Sequence, residues 1–510
     1  MVRLVIPIAM KQNLLRLIAW CLAAAMSVVP AFSAPRNVVF ILADDLGYGE
    51  LGCYGQDKIR TPHIDQLAAE GMRFTHHYSG APVCAPARCV LLTGKHLGHA
   101  EIRGNRQAQL SFPEYKEGQH PLSAEAFTLA EAFQGAGFAT AAMGKWGLGP
   151  VGSTGDPNKQ GFEWFFGYNC QAVAHSFYPR FLWRNDKRIE INAKPIPGHA
   201  RQAEGTVKME DWIGRTYASI PIRDEALDFI RRHKDKPFFL YLPFTEPHAA
   251  MHPPVESVDA YPAGWDDVPY RGQNAYLPHP RPRAAYAAMI SDLDRHVGDV
   301  VSELKRAGIL DETLIVFTSD NGTTHRGANA ADRFGIAGVD AAFFNSTAGL
   351  RGFKGSVYEG GLRVPMIMRL PGVIAQGATH DMPSYFADWF PTLCAAFGVE
   401  APDDLDGENL WPVITGEKTP GRRMKPMLWV YPEYGGQVAV RLGPMKVVRQ
   451  QLATRKPGPW EVYDISKDPG ETRNIAAEHP AVIQEAVDVL RRETLDNPLF
   501  PLTLPGLDPP

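Results

Sequence analysis

Two acidic pairs stand at the ends of apolar runs: Asp44-Asp45 follows Val38 to Leu42, and Asp320-Asn321 follows Leu314 to Thr318. Taken alone, each pair reads as a turn former or a helix cap. Taken together they supply three carboxylates and an amide oxygen, with no His or Cys among them. That hard-oxygen set suits Ca²⁺ or Mg²⁺ rather than Zn²⁺. A bound cation would relieve the repulsion that so many clustered carboxylates create. Asn321-Gly322-Thr323 is also a glycosylation sequon. A sugar there would destroy the ligand, so either no transferase reads the sequon or the fold hides it.

A second group carries nucleophilic and cationic chemistry. In Val83-Cys84-Ala85-Pro86-Ala87-Arg88-Cys89, Pro86 near the start of an apolar helical run places Cys84 at a helix N-terminus, where free amide hydrogens and the dipole favour an anion. Unmodified, Cys84 is expected to be a low-pKa thiol nucleophile. Lys145 ends another apolar run, and His248 lies just beyond a third in Glu246-Pro247-His248. The plain reading of Lys145, Lys354 or His248 taken singly is an exposed solubilising side chain.

The segment from Cys84 to Thr93-Gly94 resembles the type I sulfatases, whose signature is Cys-x-Pro/Ala-x-Arg followed by Leu-Thr-Gly. The likeness extends to Asp44-Asp45 in its Leu-Ala-Asp-Asp-Leu-Gly context, to Asp320-Asn321-Gly322, to Lys354 before Tyr358-Glu359-Gly360-Gly361, and to Val462-Tyr463-Asp464 with Asp468-Pro469, Glu471 and Asn474. The resemblance implies an alkaline phosphatase-like α/β fold: a large mixed, mostly parallel sheet flanked by helices, with a smaller C-terminal α+β domain holding a short antiparallel sheet. It implies that a maturation enzyme oxidises Cys84 to formylglycine, whose hydrate is the nucleophile. It also implies that Asp44, Asp45, Asp320, Asn321 and the modified Cys84 bind one Ca²⁺, while Arg88, Lys145, His248 and Lys354 surround the sulfate.

The chemistry of a sulfate monoester fits these residue types. Its negative charge spreads as the S–O bond loosens, so a divalent cation with Lys and Arg supplies fixed positive potential where the charge develops. An alkoxide leaving group needs a proton, and His248 is the best-placed general acid. The chain departs from the family at Gly144-Lys145-Trp146-Gly147, where a histidine usually stands two positions after the lysine. The base for the second chemical step is thereby unassigned, and His175 in the loop Ala174 to Tyr178 is a candidate replacement.

These residues need elements to position them. Val38 to Leu42, Phe138 to Met143, Phe238 to Leu242 and Leu314 to Thr318 read as buried strands with amphipathic stretches between them, the alternation of an α/β protein. In doubly wound sheets the carboxyl edge of the strands binds ligands. Thr61-Pro62 opens a helix that Gly71 closes, Thr128 and Glu131 make a capping box, and Ala285 to Arg306 carries a long apolar stripe closed by Gly308. Gly152 to Arg223 reads as long loops at the active edge. After the helical pattern Tyr385 to Phe397 come the strand-like pieces Met427 to Tyr431 and Gln437 to Val448, then a helix near Ala481 to Arg492. A catalytic domain over 34–410 and a smaller domain over 411–510 are expected.

Composition sets the outer bounds. With 510 residues, 45% hydrophobic and 21% charged, the chain is a globular protein with a sizeable core, not a fibrous or disordered one. A net charge of −4 provides no global basic field for nucleic acid or an acidic membrane. Arg3, Lys11 and Arg16 precede the apolar stretch Leu17 to Val29, and small residues follow at 31–33, the pattern of a signal peptide over 1–33. Export to the periplasm or outside the cell, without stable membrane insertion, is therefore expected. Beyond that leader five cysteines remain, Cys53, Cys84, Cys89, Cys170 and Cys394, and their pairing is left open.

The expected activity is hydrolysis of sulfate monoesters, with a sulfated carbohydrate as the expected substrate. Two rivals stand beside it: a phosphomonoesterase or phosphodiesterase on the same scaffold, and a sulfated-glycan-binding relative without turnover. The aromatic residues between Glu163 and Trp183 suit stacking against sugar rings. Arg103, Asn105, His175, His325 and Arg326 are candidates to reach the sugar or, equally, to tie loops together.

Overall fold

A computed structural model describes residues 35–324, 334–421 and 423–503. The expected leader at 1–33 and the candidates His325 and Arg326 lie outside the described residues.

The strands in chain order are β1 (Asn37–Ala43), β2 (Met72–Phe74), β3 (His77–Tyr78), β4 (Ala139–Lys145), β5 (Trp164–Tyr168), β6 (Phe181–Arg184), β7 (Lys187–Glu190), β8 (Phe238–Pro243), β9 (Thr313–Ser319), β10 (Met366–Arg369), β11 (Ala378–His380), β12 (Ser384–Tyr385), β13 (Met427–Tyr431), β14 (Gln437–Leu442), β15 (Met445–Arg449) and β16 (Trp460–Asp464). Ten of them form one sheet in the order β11-β2-β10-β9-β1-β8-β4-β5-β6-β7. Its centre, β9-β1-β8-β4, is parallel throughout, so all four carboxyl ends lie on one edge. β1 is buried along its whole length, the state that a near-continuous apolar run favours in a parallel sheet.

The helices that matter for the site are α1 (Pro62–Glu70), α2 (Cys84–Thr93), α3 (Leu129–Gly135), α4 (Ser219–His233), α5 (Pro282–Arg306), α6 (Trp389–Phe397) and α7 (Pro480–Arg492). Successive residues of β1 point to opposite faces. Val38, Phe40 and Leu42 pack with residues of α2, α3 and α6. Val39, Ile41 and Ala43 pack with α1, α4 and α5. The expected capping box is present, with Thr128 accepting from the Glu131 N–H and Glu131 reaching back to the Thr128 N–H. α5 begins at Pro282, three residues before the expected start, because proline is already shaped for the first helical turn.

The C-terminal sheet is antiparallel, in the order β13-β14-β15-β16. Trp429, Tyr431, Ala439 and Val448 join the same core as α2, while Leu428, Val430, Val438 and Val447 on the other face pack on α7.

Two expectations need correction. The stretch Gln437 to Val448 is two strands, β14 and β15, reversed at Gly443, whose φ of +61° is left-handed. Gly152 to Arg223 is not all loop, because β5, β6 and β7 extend the main sheet. Its aromatics accordingly serve the core: Phe165, Phe166, Tyr168, Phe177 and Tyr178 are buried. Phe181 and Trp183 are half-buried beneath the Arg188 guanidinium, which sits 4.5 and 4.9 Å from their ring centres. The aromatic richness of this segment is thus packing rather than a sugar platform.

Candidate active site

At the end of β1 the chain turns through Asp45, whose φ of +67° lies in the left-handed region that Asp tolerates better than most residues. This breaks the strand's alternation and lets both carboxylates approach Cys84, whose Sγ is 3.4 Å from Asp44 Oδ1 and 4.0 Å from Asp45 Oδ1. Cys84 is the first residue of α2, as expected. Arg88 lies one turn later on the same face and is buried, with NH2 donating to Asp320 Oδ2 at 3.0 Å and NH1 to Gln171 Oε1 at 2.7 Å. Lys145 at the end of β4 donates to Asp44 Oδ2 at 2.5 Å. Lys354 donates to both oxygens of Asp45, at 2.6 and 2.8 Å, and lies 3.3 Å from Cys84 Sγ. His248 Nε2, beyond β8, is 3.6 Å from Asp45 Oδ2.

These residues are buried, not the exposed lysines and histidine of the plain reading. Burial favours neutral carboxyls, but Lys145, His248 and Arg88 hold Asp44 well below its usual range, and Lys354 with His248 lowers Asp45. Asp320 moves the other way. Burial and the charges of Asp44 and Asp45 raise it despite Arg88, which is the repulsion expected of clustered carboxylates. His248 is lowered to about 4 by burial and by Lys145 and Lys354. The low-pKa thiol is a correction: burial pushes Cys84 up to about 12 and outweighs the opposing charges of Lys145 and Lys354, with Asp44 and Asp320 adding smaller rises.

The residues fit a hard cation. Asn321 Nδ2 donates to Asp45 Oδ1 at 2.7 Å and to Gly322 O at 2.9 Å, which leaves the buried Asn321 Oδ1 without a hydrogen-bond partner. An orphaned amide oxygen among three carboxylates is what an oxygen-coordinated ion would satisfy. Ligand atoms of Asp44, Asp45, Cys84 and His248 lie within 4.8 Å of one another. Asn321 and Thr323 are both fully buried, so the fold hides the sequon.

A cavity of about 310 Å³ opens above this floor. Asp45, Cys84, Lys145, His248 and Lys354 line it, and so do Asn105 and His175. Asn105 Oδ1 accepts from the Ala85 N–H at 3.1 Å, capping α2 from outside the helix. His175 stacks on His248, with ring centres 5.2 Å apart. Arg103 is not brought in. Its guanidinium donates to the carbonyls of Ala100 and Gly98, so it ties its own loop.

The structure adds residues that sequence reasoning missed: Gln107, Gln119, Gln171, His199, Tyr276, Thr324 and Tyr434 also line the cavity. They come from separate loops, and only Gly147 gave a local sign. Its φ is +79°, and a Cβ there would sit 2.5 Å from Gln171 Cγ. The place where the family usually carries a histidine side chain is closed by backbone conformation and by Gln171, which instead holds Arg88 and donates to Asn105 Oδ1 at 3.2 Å.

Comparison with known proteins agrees with this geometry. The family model described as Sulfatase matches residues 36–399, and the model for the N-sulphoglucosamine sulphohydrolase C-terminal region matches 352–495. Human arylsulfatase A is 32% identical over 91% of this chain and 88% of its own. The N-acetylgalactosamine-6-O-sulfatase of Bacteroides thetaiotaomicron is 26% identical over 90% of this chain and 93% of its own. The crystal structure of Ps i-CgsB superimposes with a TM-score of 0.71 at 25% identity, covering 90% of this chain and 92% of that one. Fold, charged floor and relatives agree: the chain belongs to the sulfatase family of the alkaline phosphatase superfamily and is a sulfuric ester hydrolase.

Proposed function

We propose that the chain is an exported sulfatase that removes sulfate from a carbohydrate, using one Ca²⁺ and a formylglycine matured from Cys84 by a formylglycine-generating enzyme. The observation that carries this reading is the floor of the cavity, where Cys84 at the start of α2 faces two aspartates, two lysines and a histidine. The leader pattern supports export. Catalytic and smaller C-terminal parts over 34–410 and 411–510 remain our reading of the chain's organisation.

Asp44, Asp45, Asp320 and Asn321 would hold the cation beside residue 84, where it adds positive potential for the sulfate oxygens and the nucleophile. The hydrate of formylglycine supplies a hydroxyl nucleophile that a thiol does not. Lys145 and Lys354 offer ammonium groups on either carboxylate, ready to pair with sulfate oxygens as negative charge spreads over them. Arg88 fixes Asp320 from behind. The Nδ1 of His248 donates to Ala249 O at 2.6 Å, so Nε2 is the nitrogen that carries the proton to and from the leaving oxygen. The carboxamides of Asn105, Gln107, Gln119 and Gln171 and the rings of His199, Tyr276 and Tyr434 offer hydrogen bonds and apolar faces to a sugar. Sulfated amino sugars are named among the relatives, which supports that substrate class.

Mass analysis of the Cys84 peptide from fully active protein tests the modification, with an unmodified thiol throughout as the result that sinks it. Turnover of 4-nitrophenyl sulfate and of a panel of sulfated sugars, absent in Cys84→Ala, tests the activity.

A further inference from the structure

His175 and His248 stack over the cavity with their planes 13° apart, yet their hydrogen bonds give the two rings opposite polarity. The backbone N–H of Tyr276 donates to His199 Nδ1 at 3.2 Å, and a backbone amide can only donate. His199 Nδ1 therefore carries the lone pair, and the proton of the neutral ring is on Nε2. That Nε2 is 3.1 Å from His175 Nδ1, so His199 donates, His175 accepts, and the proton of His175 is on its own Nε2. His248 is the reverse case. Its Nδ1–H is committed to the Ala249 carbonyl, which leaves a lone pair on Nε2.

The start of this relay is held in a strained turn. Ala275 and Tyr276 both take left-handed φ, +66° and +64°, a cost that persists only where surrounding bonds enforce it. Tyr270 Oη donates to Ala275 O at 2.5 Å, and the Ala200 N–H donates to Tyr276 O at 3.1 Å. Charging His175 at Nδ1 would set its N–H against that of His199, which the Tyr276 N–H prevents from turning its polarity round. Burial and the positive charges of Lys145 and Lys354 oppose that proton as well.

We infer that His175 is a neutral hydrogen-bond donor to a substrate oxygen beside the leaving group, with His199 as the residue that positions it, and is not the base that Gly147 leaves unassigned. The inference rests on the sulfatase reading above and gives it a residue-level account of how the ester or an adjoining hydroxyl is oriented.

The test uses matured full-length protein and 4-nitrophenyl sulfate. His175→Gln keeps an N–H donor but accepts no proton, whereas His175→Ala has neither function. The expected result is that the Gln variant stays within about threefold of wild type, while the Ala variant loses roughly tenfold in kcat/KM through KM. The pH profile of kcat should be unchanged in the Gln variant. Equal loss of kcat in both variants, with an ionisation missing from the profile, would show a base and overturn the inference. His199→Gln can still accept from Tyr276 and donate to His175, so it should retain more of the wild-type kcat/KM than His199→Phe, which should fall to the level of His175→Ala. An unaffected His199→Phe would remove the relay. A readout free of turnover is the ¹⁵N spectrum of histidine-labelled protein, with the His175 signals identified from the Gln variant. The Nε2–H form is expected at neutral pH, and the Nδ1–H form or the imidazolium would refute it. Wild-type protein that carries formylglycine but hydrolyses no sulfate ester would instead sink the parent reading, and the spectrum would still answer for the tautomer.

Discussion

Under the C-terminal sheet, Lys446 Nζ lies 2.9 Å from Glu359 and 3.0 Å from Glu471, with all three side chains shut away from water. Tyr78 Oη donates to the other oxygen of Glu359, Arg363 lies 3.6 Å from it, and Arg441 donates to Tyr78. At the carboxyl edge of the main sheet, Asp44, Asp45 and Asp320 are buried as deeply beside Arg88, Lys145 and Lys354. Burial of charge does not separate the two clusters. What separates them is that the second opens on a cavity, beside an orphaned Asn321 Oδ1 that a cation would satisfy. In the closed cluster burial works against both carboxyls: Lys446, Arg441 and Arg363 hold Glu359 low, while burial and the charge of Glu359 raise Glu471 to about 7 despite Lys446. In the open cluster three carboxylates press on one another, so Asp320 is raised. The first arrangement holds a fold together, and the second, open to the cavity, has room for a ligand that would relieve Asp320.

The sharpest test of that contrast removes the unmet demand. Asp320→Asn keeps the shape but loses a charge, and sulfatase turnover should drop at least 100-fold. Chelation should do the same to the wild type and Ca²⁺ should restore it, with full activity in metal-free protein as the contrary result.

Next, one lysine from each cluster can be exchanged for methionine. Lys446→Met leaves Glu471 without its ion-pair partner and strips Glu359 of its nearest cation, which should cost about 3–5 kcal/mol in urea unfolding, while kcat/KM of the folded protein stays within about threefold. Lys354→Met should lower kcat/KM about 100-fold with a smaller loss of stability when Ca²⁺ is present. If the two variants exchanged these phenotypes, the division into structural and functional clusters would fail.

Acid probes the rest of the core. His252 is buried, and burial lowers it to about 3 despite the backbone carbonyl of Pro278 beside it. Its folded value lies below the unfolded one of about 6.5, so the unfolded chain binds the proton more readily. Stability from keeping this ring neutral is complete above pH ~6.5 and lost as pH falls toward about 3. Glu359 is held low and keeps its charge in this range. On going from pH 7.5 to 5, His252→Phe should lose about 2 kcal/mol less stability than wild type, as read by unfolding at the two pH values.

The smallest effect concerns the brace behind the open cluster. Gly147→Ala would force a Cβ into Gln171 from a left-handed backbone, and Gln171 holds Arg88. A fall of about three- to tenfold in kcat/KM is expected, and an unchanged value would show that this brace is idle.

Much of the scaffold was legible in the chain. The four central strands are largely apolar runs, a pattern that both faces of a buried parallel strand demand, and their polar ends named the active edge before any coordinates. The interval 152–223 was misread because aromatic, Gly- and Pro-rich sequence lacks a clear period, and only pairing with β4 makes Trp164–Tyr168 a strand. Arg103 illustrates the same limit: position near Cys84 in the chain says nothing about which carbonyls its guanidinium will meet.

By itself the sequence determined which residue types are present and where they fall relative to strand ends and helix starts: the nucleophile segment at Cys84, the acidic pairs, Lys145, His248 and Lys354. These follow from local order, since a strand end or a helix N-terminus is defined by neighbours in the chain. Only the tertiary structure decided that Gln171 closes the space beside Gly147, that His199 and Tyr276 set the polarity of His175, and that Lys446 with its two glutamates is sealed off while Lys354 faces a cavity. Each of those depends on contacts between segments distant in the chain, and on whether the space between them is filled or left open to a ligand. No local pattern encodes that.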